Sequence, residues 1–286
     1  MKGIMIQGTS SDVGKSLIAT ALCRAFANEG YHVAPFKSQN MCNYTYHTKT
    51  GKEIGRAQGL QAEAAKTEAN EWMNPILLKP MAGGQSEVIM LGNHAEVVSG
   101  SSYQNDYYNK GLEAITLSLQ KLREEYEILV LEGAGSPVEI NLKEKELANM
   151  KAAEMADVPV VLAADIERGG IFASIIGTLE LLSPQERARV KGIMINKFHG
   201  NPELFEDGKN WIEEKTGLPV LAVLPYIGQH GIPVEDSLSD GPAAAANPET
   251  VDDSKYDELS EAMLKHLDWE KLKEIVFSWR KKNEMA

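Results

Sequence analysis

A chain of 286 residues, with 43% hydrophobic and 24% charged side chains, has the length for one large α/β domain plus an extension and buries a core without disulfide or metal staples. Its formal net charge of −12 argues against a nucleic-acid partner, because that affinity comes from Lys and Arg displacing counterions along a phosphate backbone. Two cysteines with no ligand spacing, no basic-then-apolar leader and no apolar run near the ~20 residues that span a bilayer predict a cytoplasmic protein with no membrane contact.

Taken in chain order, residues 3–7 read as a buried strand, and Gly8-Thr9-Ser10-Ser11-Asp12-Val13-Gly14-Lys15-Ser16 as a phosphate-binding loop opening a helix over 15–29. Glycines let such a loop turn its N–H groups inward around phosphate oxygens. The helix N-terminus adds partial positive charge, Lys15 a full one, and the Ser16 hydroxyl suits magnesium. A nucleotide with magnesium is therefore the expected ligand. Five residues separate Gly8 from Gly14, where the usual loop has four. Cys23 falls inside the first helix and Cys42 in a loop, and both read as idle thiols.

A second strand over 32–36 ends at Lys37, placed to reach a transferring phosphoryl group from the side opposite Lys15; a solvated surface lysine is the alternative. Ser38, Gln39 and Asn40 follow it, then a helical pattern over 55–68 that carries Arg56 and Gln58. Residues 74–92, punctuated by Asn74-Pro75 and Gly83-Gly84, read as an inserted extended segment. After a helix over 107–125, the strand at 127–131 delivers Glu132 to the ligand edge, a candidate magnesium ligand directly or through water.

A helix over 146–156 and a strand over 158–164 lead to Arg168, which either steadies the active-site edge or pairs with Asp165. A helix over 170–182, a strand over 191–196, a helix over 203–215 and a strand over 219–224 complete the alternation. Asn196 either hydrogen-bonds a purine edge or simply forms a turn. The alternation predicts an α/β fold with a doubly wound, mostly parallel sheet. The expected divisions are a nucleotide-dependent domain over 1–237, a linker over 238–255 that includes the alanine run after Pro242, and a C-terminal helical tail over 256–286.

Several separated strings resemble the synthetase part of cobyric acid synthases: the long P-loop, Pro35-Phe36-Lys37-Ser38-Gln39-Asn40-Met41, Glu53-Ile54-Gly55-Arg56-Ala57-Gln58, Asn74-Pro75-Ile76-Leu77-Leu78-Lys79-Pro80, Glu132-Gly133-Ala134-Gly135-Ser136-Pro137 and Ala164-Asp165-Ile166-Glu167-Arg168-Gly169-Gly170. More distantly the chain is similar to dethiobiotin synthetases, which share the longer loop. The resemblance implies a P-loop ligase of the dethiobiotin synthetase-like fold that uses ATP to phosphorylate peripheral carboxylates of cobyrinic acid diamide before ammonia displaces phosphate. Lys15, Lys37 and Glu132 would carry the chemistry. Gly8 through Ser16 and Asn196 would hold the nucleotide, and Ser16 and Glu132 the metal. Ser38, Gln39, Asn40, Arg56, Gln58 and Arg168 would face the corrinoid.

The family pattern is not met everywhere. Gln58 stands where dethiobiotin synthetases carry a metal-binding aspartate, and His199 and Asn201 where cobyric acid synthases more often carry arginine and aspartate. The glutamine amidotransferase part usual in the family has no counterpart in the sequence, while residues 256–268 resemble the segment that normally follows it. A separate glutaminase subunit or free ammonia is the expected nitrogen source, and a homodimer is compatible. Two other readings stay open: a dethiobiotin synthetase-like ligase acting on another carboxylate, and a MinD-like ATPase switch. The latter lacks its signature lysine among Thr9, Ser10 and Ser11.

Overall fold

The computed structural model describes residues 1–99, 107–228, 230–233 and 251–279. The expected linker lies outside these residues up to residue 250, as do residues 280–286 of the tail. In chain order the elements are β1 (Lys2–Gly8), α1 (Lys15–Asn28), β2 (Val33–Phe36), β3 (Gln39–Met41), β4 (Thr45–His47), β5 (Glu53–Gly55), α2 (Arg56–Ala64), β6 (Ile76–Met81), β7 (Gln85–Met90), β8 (Asn93–Ser99), α3 (Tyr108–Glu125) and β9 (Ile128–Glu132). They continue with α4 (Met150–Ala156), β10 (Val160–Asp165), α5 (Ile171–Leu181), α6 (Pro184–Arg189), β11 (Val190–Phe198), α7 (Glu206–Thr216), β12 (Val220–Pro225), α8 (Asp253–Leu264) and α9 (Trp269–Ser278).

The main sheet has the order β12-β11-β10-β1-β9-β2, and every pairing in it is parallel. Its central strands are buried on both faces, which is why they read as continuous apolar runs rather than alternating ones. Alternate residues feed two cores. Met5, Leu129 and Leu131 pack on one face, and Ile4, Ile6, Ile128 and Val130 on the other. Because β9 and β10 leave β1 on opposite sides, the C-terminal ends of β1, β9 and β10 border a crevice, the position where ligands bind in open α/β sheets.

The extended segment expected over 74–92 is part of a second sheet of order β3-β6-β7-β8. This sheet begins just after Lys37, pairs β3 with β6 in parallel and closes with two antiparallel steps. Some helix bounds differ from expectation. The helix expected to reach residue 68 stops at Ala64, since Lys66 adopts φ 55 while Lys66 N donates to Glu63 O and Thr67 N to Ala62 O. That is a Schellman stop with lysine rather than glycine in the left-handed position, so no glycine marks it. The helices expected from 146 and 203 begin at Met150 and Glu206, each preceded by a 3-10 turn. The short α6 is not among the expected helices, although Pro184 follows Ser183 and the Ser183–Glu186 pair forms a capping box.

Helices α8 and α9 lie against α1 and the main sheet, contributing Tyr256, Leu259, Met263, Leu272, Ile275 and Val276 to the core face that holds Ile4 and Ile6. Arg24 of α1 is fully buried beneath α8, donating Nε to Asp257 Oδ1 at 2.7 Å and Nη2 to Asp253 Oδ2 at 2.6 Å. Asp268 N also donates to Leu221 O at 2.8 Å, which ties the turn between the two helices to β12.

Candidate nucleotide site and active site

The loop between β1 and α1 takes its shape from two glycines. A side chain on Gly8 would stand 2.6 Å from Val13 Cγ2 and 2.9 Å from Lys15 Nζ. Gly14 has φ 93, a left-handed conformation that glycine adopts without strain, and its Cα faces the Asn196 amide. Asn196, at the end of β11, donates Nδ2 to Val13 O at 2.7 Å and so anchors the loop from the neighbouring strand. Lys15 folds back over the loop, donating to Ser10 O and Gly135 O, both at 2.9 Å. Burial, with the Lys37 ammonium nearby, pushes the Lys15 ammonium down to about 8.

Lys37 leaves the end of β2 and Glu132 the end of β9, an adjacent pair in the sheet, and their side chains meet at 3.2 Å. Glu132 Oε1 also accepts from Gln58 Nε2 at 2.8 Å, while Gln58 Oε1 accepts from Asn40 Nδ2 at 3.2 Å. Glu132 Oε2 is buried with no hydrogen-bond partner among the described residues. A carboxylate oxygen in that condition suits a cation or a cation-bound water, so the residues present fit magnesium.

A cavity of about 710 Å³ opens at this edge. Of the residues expected to act, Ser11, Asp12, Gly14, Lys15, Ser16, Lys37, Gln39, Asn40, Arg168 and Asn196 line it. Three of those expected to face a corrinoid lie elsewhere. Ser38 is buried and donates to Leu147 O at 2.7 Å, Gln58 is fully buried behind Glu132, and Arg56 turns its guanidinium over the Tyr44 ring. Gly8, Thr9, Ser10 and Val13 build the loop without lining the cavity. Arg168 reaches Asp12 at 3.5 Å and Asp165 only at 3.9 Å, whereas Asp165 pairs more closely with Lys197 at 3.0 Å. His199 bonds Glu167 at 3.0 Å and stacks on Tyr226.

Two asparagines that sequence reasoning passed over hold the site together. Asn149 accepts from Ala134 N at 2.9 Å and donates to Ala134 O and Ser136 O, clamping the loop whose Gly135 carbonyl holds Lys15. Asn74 donates to Lys37 O at 2.8 Å and accepts from Gly55 N at 2.9 Å, fixing the backbone on which Lys37 stands. Asn149 stands just before α4, where asparagine ordinarily reads as a helix cap, so its role carries no local signal.

A parallel sheet with a glycine-shaped loop running from its central strand into the first helix, and a lysine folded over that loop, defines a P-loop nucleotide-binding protein. The chain belongs to the CobQ/CobB/MinD/ParA nucleotide binding domain family, whose model matches residues 4–229. Among curated relatives it is similar to the cobyric acid synthase of Desulforamulus reducens, 53% identical over 238 residues that make up 83% of this chain and 46% of that protein. It is also similar to that of Geobacillus kaustophilus, at 53% over 82% of this chain and 47% of that protein. The cobyric acid synthase of Acaryochloris marina is 50% identical over 83% and 48%, respectively. The chain thus spans about half the length of the curated relatives it matches.

Proposed function

We propose that the chain is an ATP-dependent synthetase of the cobyric acid synthase type, amidating peripheral carboxylates of a cobyrinic acid diamide. The observation that carries this reading is the convergence of Lys15, Lys37 and Glu132 at one sheet edge, beside a cavity that runs from the P-loop to Gln39 and Asn40. Identity of about half with proteins named cobyric acid synthase supports that substrate class.

A carboxylate resists attack by ammonia because its charge repels the nucleophile and it offers no leaving group. In the proposed sequence a carboxylate oxygen attacks the γ-phosphorus of ATP and ADP leaves. Ammonia nitrogen then attacks the acyl carbon, the C–O bond to phosphate breaks, and a proton is lost to give the amide. Lys15 neutralises charge on the phosphates from the loop side, and Lys37 approaches from the opposite edge, held by Glu132. Ser16 and Glu132 would hold magnesium, which supplies further neutralisation of phosphate charge. Nitrogen reaches the acyl phosphate as ammonia, free or released by a glutaminase.

Incubation with ATP, magnesium and cobyrinic acid diamide, with ammonium and glutamine in parallel arms, tests the reading by mass spectrometry of the corrinoid. The expected result is loss of about 1 Da per amidated carboxylate, from replacement of OH by NH2, in the ammonium arm. ATP hydrolysis indifferent to the corrinoid would refute the substrate.

A further inference from the structure

The cavity has two chemically different ends. Around Lys15, Ser16, Lys37 and Asn196 it is polar and positively charged, whereas beyond α1 its wall is apolar, formed by Leu17 and Ile18 of α1 and by Leu224 and Ile227. Two further residues of this end belong to α8: Leu259 and Met263, 3% and 2% exposed, which close it from beneath. They lie outside residues 4–229, the part of the chain that the family model matches.

Their placement is fixed by polar contacts along α8. Arg24 holds Asp253 and Asp257, and Tyr256 donates its hydroxyl to Glu63 Oε2 of α2 at 2.7 Å. On a helix, residues 256, 259, 260 and 263 share one face, so pinning residues 253, 256 and 257 sets the direction in which 259 and 263 point.

We propose that α8 forms the floor of the nucleobase site, so that base affinity depends on a segment beyond the matched domain. The inference rests on the reading of the P-loop as an ATP site, with phosphates seated at Lys15 and the purine attached to them reaching this adjoining apolar space. The floor, Leu259 and Met263, offers methyl and methylene groups and one thioether, with no strong side-chain donor or acceptor. It therefore contributes burial of the ring and no discrimination between adenine and guanine. Discrimination falls to the polar edge near Asn196.

Binding of ATP, GTP and inorganic tripolyphosphate, each with magnesium, to the full chain separates the two ends of the cavity, because tripolyphosphate engages only the P-loop. For Met263→Trp, which fills the floor, the expected result is at least a tenfold loss of ATP affinity, an equal loss for GTP within twofold, and tripolyphosphate affinity unchanged. Leu259→Ala, a milder change, is expected to weaken both nucleotides about threefold. In the unaltered chain, ATP is expected to slow amide hydrogen exchange in the peptide 256–265 and tripolyphosphate to leave it unchanged. Nucleotide affinities that ignore both substitutions, or that fall together with tripolyphosphate, would overturn the proposal, as would ATP binding with unaltered exchange in that peptide. Failure of the unaltered chain to bind ATP would overturn this inference and the ATP-site reading together. Intact ATP binding without corrinoid turnover would remove only the substrate assignment.

Discussion

Lys37 and Glu132 face one another at 3.2 Å across neighbouring parallel strands, the lysine 7% exposed and the glutamate 1%. Two charges this far from water are retained at a cost, since replacing such pairs by apolar residues is often neutral for stability. Their value here lies in presenting an oriented ammonium where phosphoryl transfer is proposed. Removing one partner takes from the other its opposite charge, while Glu132 keeps its bond from Gln58. Glu132→Gln and Lys37→Met are each expected to cost about 3 kcal/mol or more, and the double variant less than the sum. All three are expected to lose at least ~100-fold in corrinoid-dependent turnover, in line with removal of a preorganised electrostatic group. Thermal unfolding and steady-state assays on the four proteins check this, and strict additivity of the two stability losses would contradict coupling.

Lys15 gives a prediction in pH. Its folded value, about 8, lies below the ordinary 10.5 because the ammonium is buried near Lys37. Between these values the unfolded chain holds the proton that the folded one has shed. Below pH 8 the charged form is penalised in full, and stability of the nucleotide-free protein gains from this group as pH climbs from 8 toward 10.5. ATP requires the opposite state, since its phosphates attract the ammonium. ATP affinity is therefore expected to fall above pH 8 by up to about tenfold per pH unit, the limit for one linked proton. Calorimetric titrations between pH 7 and 9.5 test it. A flat profile would show that Lys15 does not lose its proton in the free protein. Lys15→Ala is expected to stay folded and lose turnover.

Gln58 is expected to act by positioning. It spans Asn40 and Glu132, donating to the carboxylate and accepting from the amide, with no exposure of its own. Gln58→Leu keeps much of the volume and removes both bonds, so turnover is expected to fall about tenfold while ATP affinity stays within twofold. Gln58→Glu places a second carboxylate against Glu132, and activity lost at pH 7.5 is expected to return partly as the pH is lowered and one of the two takes a proton. Equal activities for the two variants across that range would show that charge beside Glu132 is immaterial.

These relationships also mark what the sequence makes legible. The strand, loop and helix around Gly8–Ser16 are contiguous, so period, glycine spacing and the following apolar run all report on the same short stretch. Lys37 and Glu132 are legible because each terminates an apolar strand, and a parallel sheet brings strand ends to one edge. Gln58 reads as substrate-facing because it comes after the second strand on the presumed ligand edge, yet it is buried behind Glu132. Asn74 and Asn149 act on backbone 37 and 15 residues away. Neither pairing has a local period. Leu259 and Met263 read as an ordinary apolar helix face, and only docking of α8 on α1 reveals that the face closes a cavity.

Docking of α8 on α1 rests on an ion cluster around Arg24. Arg24 is fully buried, while Asp253 and Asp257 on α8 remain partly in water. Hydrogen bonding to Arg24, with Asn28 adding a second donor to Asp257, holds both carboxyls below the usual carboxylate value of 3.8. Their folded values are depressed, so the stabilisation is complete above about pH 3.8 and is lost as the pH falls through the lower, folded values. Trp269 of α9 reports on the docking of the helical pair, since its indole N–H donates to Glu29 at 2.6 Å and its ring packs on Phe26 of α1 with centroids 4.6 Å apart. Its fluorescence is expected to hold steady from pH 7 to 4 and to change below that. At neutral pH, Asp253→Asn with Asp257→Asn leaves a buried guanidinium without a counter-charge, expected to cost about 3 kcal/mol and to lower the unfolding midpoint by ~6–12 °C. Arg24→Met leaves only two carboxylates already wetted by solvent and retains the aliphatic packing, so its loss is expected to be the smaller of the two. The reverse order would mean that the guanidinium holds α8 through contacts other than these two carboxylates, such as its bond to Asp253 O at 3.3 Å.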